Sequence, residues 1–230
     1  MIGIICALKM EVDGLKALME NAESTQKAGL EFTSGKIFGK DVVLLECGVG
    51  KVNAAVGTQA MIDLFNPDLI ISTGIGGSLN KQITVGDIVI SSDCVEHDIN
   101  ATELDEPRGQ IWFPNEKRIA IPADKEICDK LAECCKGLGA HVTVGRIATG
   151  DLFVVYRRKR EFIAFEFDAV CCEREGAAVG HACYMNKVPF AIMRSISDDM
   201  KFNKVENYEE FKQLAVDREI KALKKFIRMD

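Results

Sequence analysis

The sequence predicts an α/β fold: one domain over residues 1–230, with a central mixed, mainly parallel β-sheet flanked by helices. Three observations carry this. Apolar runs of strand length recur along the chain, most of them continuous rather than alternating, as strands covered on both faces require. Segments of helical periodicity lie between them. No linker, repeat or low-complexity tract divides the 230 residues.

Ile2–Ala7 reads as the first strand, being short and lacking the basic leader of a signal peptide. A helix follows over Glu11–Leu18, with Glu11 in the first turn, where the macrodipole favours a carboxylate. The turn Gly48-Val49-Gly50 leads from a strand at Val42–Cys47 into a helix at Val52–Leu64. Further strands are expected at Leu69–Ser72 and Ile88–Ser91. Residues Glu96–Phe113 break the rhythm; a polar loop of that length in a compact domain is usually functional or disordered. His97-Asp98 is expected to order it through a hydrogen bond. Lys125–Gly137 places Ile127, Leu131 and Cys134 on one helical face, and Val142–Ile147 is the next strand. The run Arg157-Arg158-Lys159-Arg160 reads as a solvated helix start. Strands at Ala169–Cys172 and Phe190–Ile196 enclose the small-residue helix Ala177–Met185, which can pack close to a sheet. Asn207 with Glu210 makes a capping box for a last helix, whose apolar contacts come from Phe211, Leu214, Ala215, Leu223, Phe226 and Ile227.

Composition excludes several classes. A net charge of −6 without a dense basic cluster argues against a nucleic-acid partner. No apolar run approaches the roughly 18 residues of a membrane span. Nine scattered cysteines, an odd number without a Cys-x-x-Cys pair, fit buried thiols in a reducing, cytoplasmic compartment. Neither a metal nor a cofactor is expected. The three histidines have no metal-ligand spacing. Gly48-Val49-Gly50-Lys51 lacks the outer glycine and the Ser or Thr of a phosphate loop. Thr73-Gly74-Ile75-Gly76-Gly77 fails as a dinucleotide fingerprint, and its glycines are expected to let another group approach the backbone.

The chemistry is concentrated at strand ends, where α/β proteins hold ligands. Glu173-Arg174-Glu175 and Arg194-Ser195-Ile196-Ser197-Asp198 each close an apolar run. In a parallel sheet, Glu11 can join them. Three carboxylates and an arginine around one pocket form an acid/base constellation, in which burial and mutual repulsion raise one pKa.

Taken in order, these segments resemble the 5′-methylthioadenosine/S-adenosylhomocysteine nucleosidases of the purine nucleoside phosphorylase superfamily. The matching pieces run nearly the length of the chain: Glu11-Val12, Gly48 to Ala55, Thr73-Gly74, Val85-Gly86-Asp87, His97-Asp98, Thr149-Gly150-Asp151-Leu152-Phe153, Glu173-x-Glu175 and Arg194-x-Ile196-Ser197-Asp198. The resemblance implies a nucleoside phosphorylase-like fold. It implies hydrolysis of the N-glycosidic bond of a 5′-thio-substituted adenosine to adenine and a thioribose. Asp198 would protonate purine N7, Glu11 would activate water with help from Arg194, and Glu175 would hold the ribose hydroxyls. Phe153 would stack on the base, the Val154 backbone would pair with its edge, and Val49 would line the 5′ side. Ile75, Gly76, Glu173, Arg174 and Ser197 would complete the substrate site. The resemblance also implies a homodimer, with the loop 100–114 covering the partner's pocket.

Three positions depart from the family pattern. Arg174 stands for a methionine, Ile75 for a serine and Gly176 for an alanine. Arg174 is expected to turn away and neutralise Glu173 or Glu11; the alternative is recognition of an anionic group on the substrate. A phosphate-using phosphorylase is a rival reading. Against it, Lys9 and Lys51 stand near the first turns, but no arginine precedes Arg108. A non-catalytic nucleoside sensor is the second rival; binding alone does not require all four charged groups.

Overall fold

The computed structural model describes residues 1–200 and 208–229. In chain order its elements are β1 (Ile2–Cys6), α1 (Lys9–Lys16), β2 (Glu20–Lys27), β3 (Leu30–Ile37), β4 (Lys40–Glu46), α2 (Lys51–Phe65), β5 (Leu69–Ser78) and β6 (Ile88–Glu96). There follow β7 (Ile111–Trp112), β8 (Lys117–Arg118), β9 (Ala120–Pro122), α3 (Lys125–Cys135), β10 (Val142–Thr149), α4 (Arg157–Phe167), β11 (Ala169–Glu173), α5 (Gly176–Asn186), β12 (Phe190–Asp198) and α6 (Tyr208–Arg228).

Every strand expected from an apolar run is present, and together they form the centre of one mixed sheet ordered β11-β10-β6-β12-β5-β1-β4-β3-β2. β1 runs parallel to β4 and β5, β5 to β12, and β10 to β6 and β11. β12 meets β6 antiparallel, and the far half of β5 meets β11 antiparallel. That last pairing closes β5, β12, β6, β10 and β11 on themselves. The closure curls the carboxyl ends of the parallel strands around a common space.

The hairpin β2–β3 has no counterpart among the expected strands. Glu20–Lys27 is almost entirely polar and exposed, so no apolar alternation marks it. It is held as an edge strand by pairing with β3 across a tight turn, with Ala28 and Gly29 at positive φ of 53° and 76°.

Helices cover both faces. α2 and α5 pack on one, contributing Ala54, Met61, Ala177, Val179 and Cys183 to its core. α1, α3 and α6 cover the other with Val12, Leu15, Leu131, Leu223 and Ile227. The small residues of α5 do bring it close to the sheet: a Cβ on Gly180 would lie 2.8 Å from Cys94 Sγ and the Phe190 ring. All nine cysteines are free and buried, as expected. In α6, Ala215, Leu223, Phe226 and Ile227 are buried, but Leu214 faces outward, contrary to expectation, because the helix presents its neighbours Ala215 and Val216 to the core instead. Asn207 and the side chains of Glu210 and Phe211 lie outside the described residues. No described helix is long and apolar enough to cross a membrane.

Candidate active site

The strand ends enclose a cleft. β1 leads into Ala7, Leu8 and Glu11, and the turn before α2 supplies Val49. β5 contributes Thr73 to Gly77, including Ile75 and Gly76. The segment after β10 adds Leu152, Phe153 and Val154; β11 ends in Cys172 and Glu173, with Arg174 and Glu175 in the turn into α5; β12 brings Arg194, Ser197 and Asp198. Every site residue singled out in the sequence therefore lines this one cleft. β5 can run beneath the carboxylates because it lacks side chains there. A Cβ on Gly74, whose φ is +150°, would sit 3.2 Å from Glu11 Oε1, and one on Gly77 would sit 2.9 Å from Asp198 Oδ2.

Arg194 is 2% exposed, and a buried guanidinium must find partners on all sides. Its Nε and Nη2 donate to Glu173 Oε2 at 3.1 and 2.6 Å, Nη2 also to Ser72 Oγ at 3.0 Å, and Nη1 to the Met193 carbonyl at 2.9 Å. Glu173 is further held by the Glu175 and Gly176 N–H groups at 3.0 and 2.8 Å and by the Thr149 hydroxyl. Burial alone would raise the Glu173 pKa, but Arg194, Thr149 and the Gly176 N–H outweigh it and hold the carboxylate below its usual range. Likewise Glu173 and Glu175 keep Arg194 charged against burial. Gly176, where the family pattern has alanine, follows from this packing: a Cβ would lie 3.0 Å from Ile192 and 3.1 Å from Glu173 Oε1.

Glu175 lacks such a partner. Its Oε1 accepts the Gly50 N–H at 2.8 Å, at the start of α2. Burial first, then the charge of Glu173, pushes its carboxyl up to about 7, against the pull of Arg194 and the Gly50 N–H. The folded state thus binds this proton more tightly than the unfolded chain. Its contribution to stability is fully present below about 4.5 and is lost as pH rises through about 7. Glu175→Gln is expected to raise Tm at pH 8, where the wild-type group is ionised and crowded, and to leave Tm unchanged at pH 4.5. Thermal melts at the two pH values check this, and an equal shift at both would overturn it.

Glu11 is 3% exposed and bonds back to the Leu8 N–H at 3.0 Å, which fixes its carboxylate at the head of α1. Asp198 accepts from the Ser197 hydroxyl at 2.9 Å and is ion-paired with Arg160.

The structure corrects two expectations and bears out a third in a particular way. Arg160 is buried, not solvated; only its neighbours in the basic run face outward. Arg174 does not neutralise Glu173, whose charge Arg194 already balances; among the described residues Arg174 forms no ion pair, and it lines the cleft with a buried, unpartnered Nε. At the irregular loop, the His97-Asp98 pair does make ordering hydrogen bonds, and it makes them through Asp98. It accepts the Asp151 N–H at 2.8 Å and Lys51 Nζ at 2.7 Å, while both His97 ring nitrogens are buried without a partner.

Some contributors were not singled out in the sequence. The anchor Ser72 is a single hydroxyl inside a strand, and Thr149 and Gly50 fall within matching segments but without a role of their own there. Glu219 in α6 is a buried carboxyl that accepts the Ser195 N–H at 3.0 Å, raised well above its usual range by burial and then by Glu11. Its helix reads in sequence only as an outer layer.

A chain with this α/β sheet and these buried acids at its strand ends belongs to the phosphorylase superfamily, whose family model matches residues 1–228. Within it, the chain belongs to the 5′-methylthioadenosine/S-adenosylhomocysteine nucleosidase family. It is 40% identical to the nucleosidase of that name from Haemophilus influenzae, over 93% of each chain. It superposes with a TM-score of 0.90 on the Neisseria meningitidis enzyme in complex with methylthio-immucillin-A, at 31% identity over 99% of this chain and 98% of that one. A Helicobacter pylori structure described as futalosine hydrolase aligns with the same TM-score of 0.90, at 28% identity over 98% and 96%.

Proposed function

We propose that this cleft hydrolyses the N-glycosidic bond of 5′-methylthioadenosine and S-adenosylhomocysteine-type nucleosides, releasing adenine and a 5′-thioribose. The observation that carries the reading is the convergence of Glu11, Glu175, Arg194 and Asp198 on one cleft beside an exposed aromatic ring, Phe153. As the C1′–N9 bond breaks, its electron pair leaves on the purine, which Asp198 protonates at N7. Water attacks C1′ and gives a proton to Glu11. Glu175 holds the ribose hydroxyls and faces the oxocarbenium charge, a preorganised electrostatic contribution.

Water rather than phosphate suits the charge balance. Lys51 is committed to Glu96 and Asp98 at 2.9 and 2.7 Å, Lys9 to Asp13 at 2.7 Å, and Arg194 to Glu173. Each of these three cations is already neutralised by a carboxylate and offers an attacking anion no free charge. Arg174 favours a second reading of the same hydrolysis, in which its guanidinium, unpaired among the described residues, binds an anionic 5′-substituent.

Purine release from 5′-methylthioadenosine, S-adenosylhomocysteine and a 5′-carboxylate analogue, with and without phosphate, tests both. Release independent of phosphate is expected, and strict dependence on phosphate would make the protein a phosphorylase. No preference for the carboxylate analogue would end the role of Arg174. Binding without any product would favour a sensor. The protein is further assigned to the cytoplasm and to a homodimer; Leu104 and Trp112, 67% and 56% exposed on the 96–113 segment, support an interface there.

A further inference from the structure

Three residues from separate parts of the chain close a ring of hydrogen bonds at the head of α2. The Lys51 N–H donates to Asp151 Oδ1 at 2.9 Å, the Asp151 N–H donates to Asp98 Oδ2 at 2.8 Å, and Lys51 Nζ returns to Asp98 Oδ1 at 2.7 Å. Lys51 opens α2, and Gly50 before it supplies no side-chain cap. An uncapped first turn leaves N–H groups without helical acceptors. Two carboxylates take adjacent ones: Glu175 the Gly50 N–H at 2.8 Å, and Asp151 that of Lys51. The approach needs glycine, since a Cβ on Gly50, at φ 102°, would lie 3.1 Å from Asp151 Oδ1.

Asp151 stands where two parts of the cleft join. Before it, the Gly150 N–H ties the chain to the Glu173 carbonyl at 3.1 Å. After it come Leu152, Phe153 and Val154, which line the cleft, with the Val154 carbonyl held by Arg160 Nε at 3.0 Å. Asp151 itself is exposed, where one hydrogen bond adds little to global stability. Its consequence is local. It fixes the Gly50 N–H, which holds Glu175, relative to the segment that carries Phe153.

We propose that Asp151 is a positioning residue of the hydrolysis, a strap that keeps the Gly50 N–H on Glu175 and Phe153 over the same cleft. The inference rests on the nucleosidase reading, which gives Glu175 the ribose hydroxyls and Phe153 the base. Asp151 acts through Gly50 and through the chain that follows it, not on the substrate. Glu175 is the reporter. Glu173 on β11, Arg194 on β12, Glu11 on α1 and Cys47 ahead of α2 face it, with Arg174 beside it in the turn. Burial and Glu173 push its carboxyl up to about 7, while Arg194 and the Gly50 N–H pull the other way. A slack strap weakens the Gly50 bond, and the Glu175 proton is then held more tightly. Loss of the Asp151 charge alone has the opposite sign, because one fewer anion nearby eases ionisation of Glu175. Two variants therefore separate strap from charge.

The test is the pH profile of kcat/KM for adenine release from 5′-methylthioadenosine, with thermal melts alongside. Asp151→Ala is expected to move the acid limb upward by about 0.5–1 pH unit, lowering kcat/KM about 3- to 10-fold near pH 6 and much less near pH 8.5. Asp151→Asn keeps an acceptor for the Lys51 N–H and loses only the charge, so its limb stays at the wild-type position or falls below it. An Asp151→Ala limb that does not move would overturn the proposal, as would an equal loss at every pH or a fall in Tm alone. So would an Asp151→Asn limb that rises as far as that of Asp151→Ala. Should Asp151→Ala not fold, Asp98→Ala decides. It takes the acceptor from the Asp151 N–H, leaves the Asp151 carboxylate in place and is expected to raise the limb; an unmoved limb counts against the strap. No adenine from wild type at any pH would instead defeat the nucleosidase reading itself.

Discussion

Asp198→Asn is expected to lower kcat by about a hundred- to ten-thousandfold, the range that a positioned general acid supplies. The amide has nearly the shape of the carboxyl and can keep the Ser197 contact, but it cannot deliver a proton to N7. Adenine would then have to leave as an anion. Because the lost interaction is made in the transition state, KM should move far less than kcat. Arg160 loses its ionic partner in this variant, so circular dichroism at the assay temperature must accompany the kinetics. Undiminished turnover in a folded Asp198→Asn protein would remove the acid from the mechanism.

Glu173→Ala should have the largest effect on stability. It strips the carboxylate from Arg194, leaving a cation that is 2% exposed with Ser72 and the Met193 carbonyl as its remaining hydrogen-bond acceptors among the described residues. Removing one partner of a buried pair costs about 3–5 kcal/mol, because the other charge stays desolvated. For a chain of this length that corresponds to a fall in Tm of about 6–20 °C. The double replacement Glu173→Leu with Arg194→Met removes both charges and should be less damaging than Glu173→Ala alone, which a thermal double-mutant cycle measures. Simple additivity would mean that the two groups are not coupled.

The parts of the fold that burial writes into composition were legible. β1, β4, β5, β11 and β12 carry apolar runs that are buried almost throughout, whereas β6 and β10 are buried only in part. β2 is polar on both faces, its place depends on pairing with β3, and nothing local announces it. The site residues were legible for a related reason. A charge at the end of an apolar strand is costly unless used, so Glu173, Glu175, Arg194 and Asp198 stand out.

Partnership was not legible. Arg194 lies near Glu173, Glu175 and Glu11 in every reading of the chain, yet only register and rotamer give its fork to Glu173 and leave Glu175 to titrate near 7. Four consecutive basic residues look alike, and the rotation of α4 alone selects Arg160 for the interior.

By itself, then, the amino-acid order determined which segments are buried and which strand ends carry acids, since both follow from local polarity. The three-dimensional packing alone decided which ions meet, which proton is retained and which side chain backs Asp198. Those outcomes depend on distances of a few ångströms between residues far apart in the chain, in a medium where charge interactions are weakly screened.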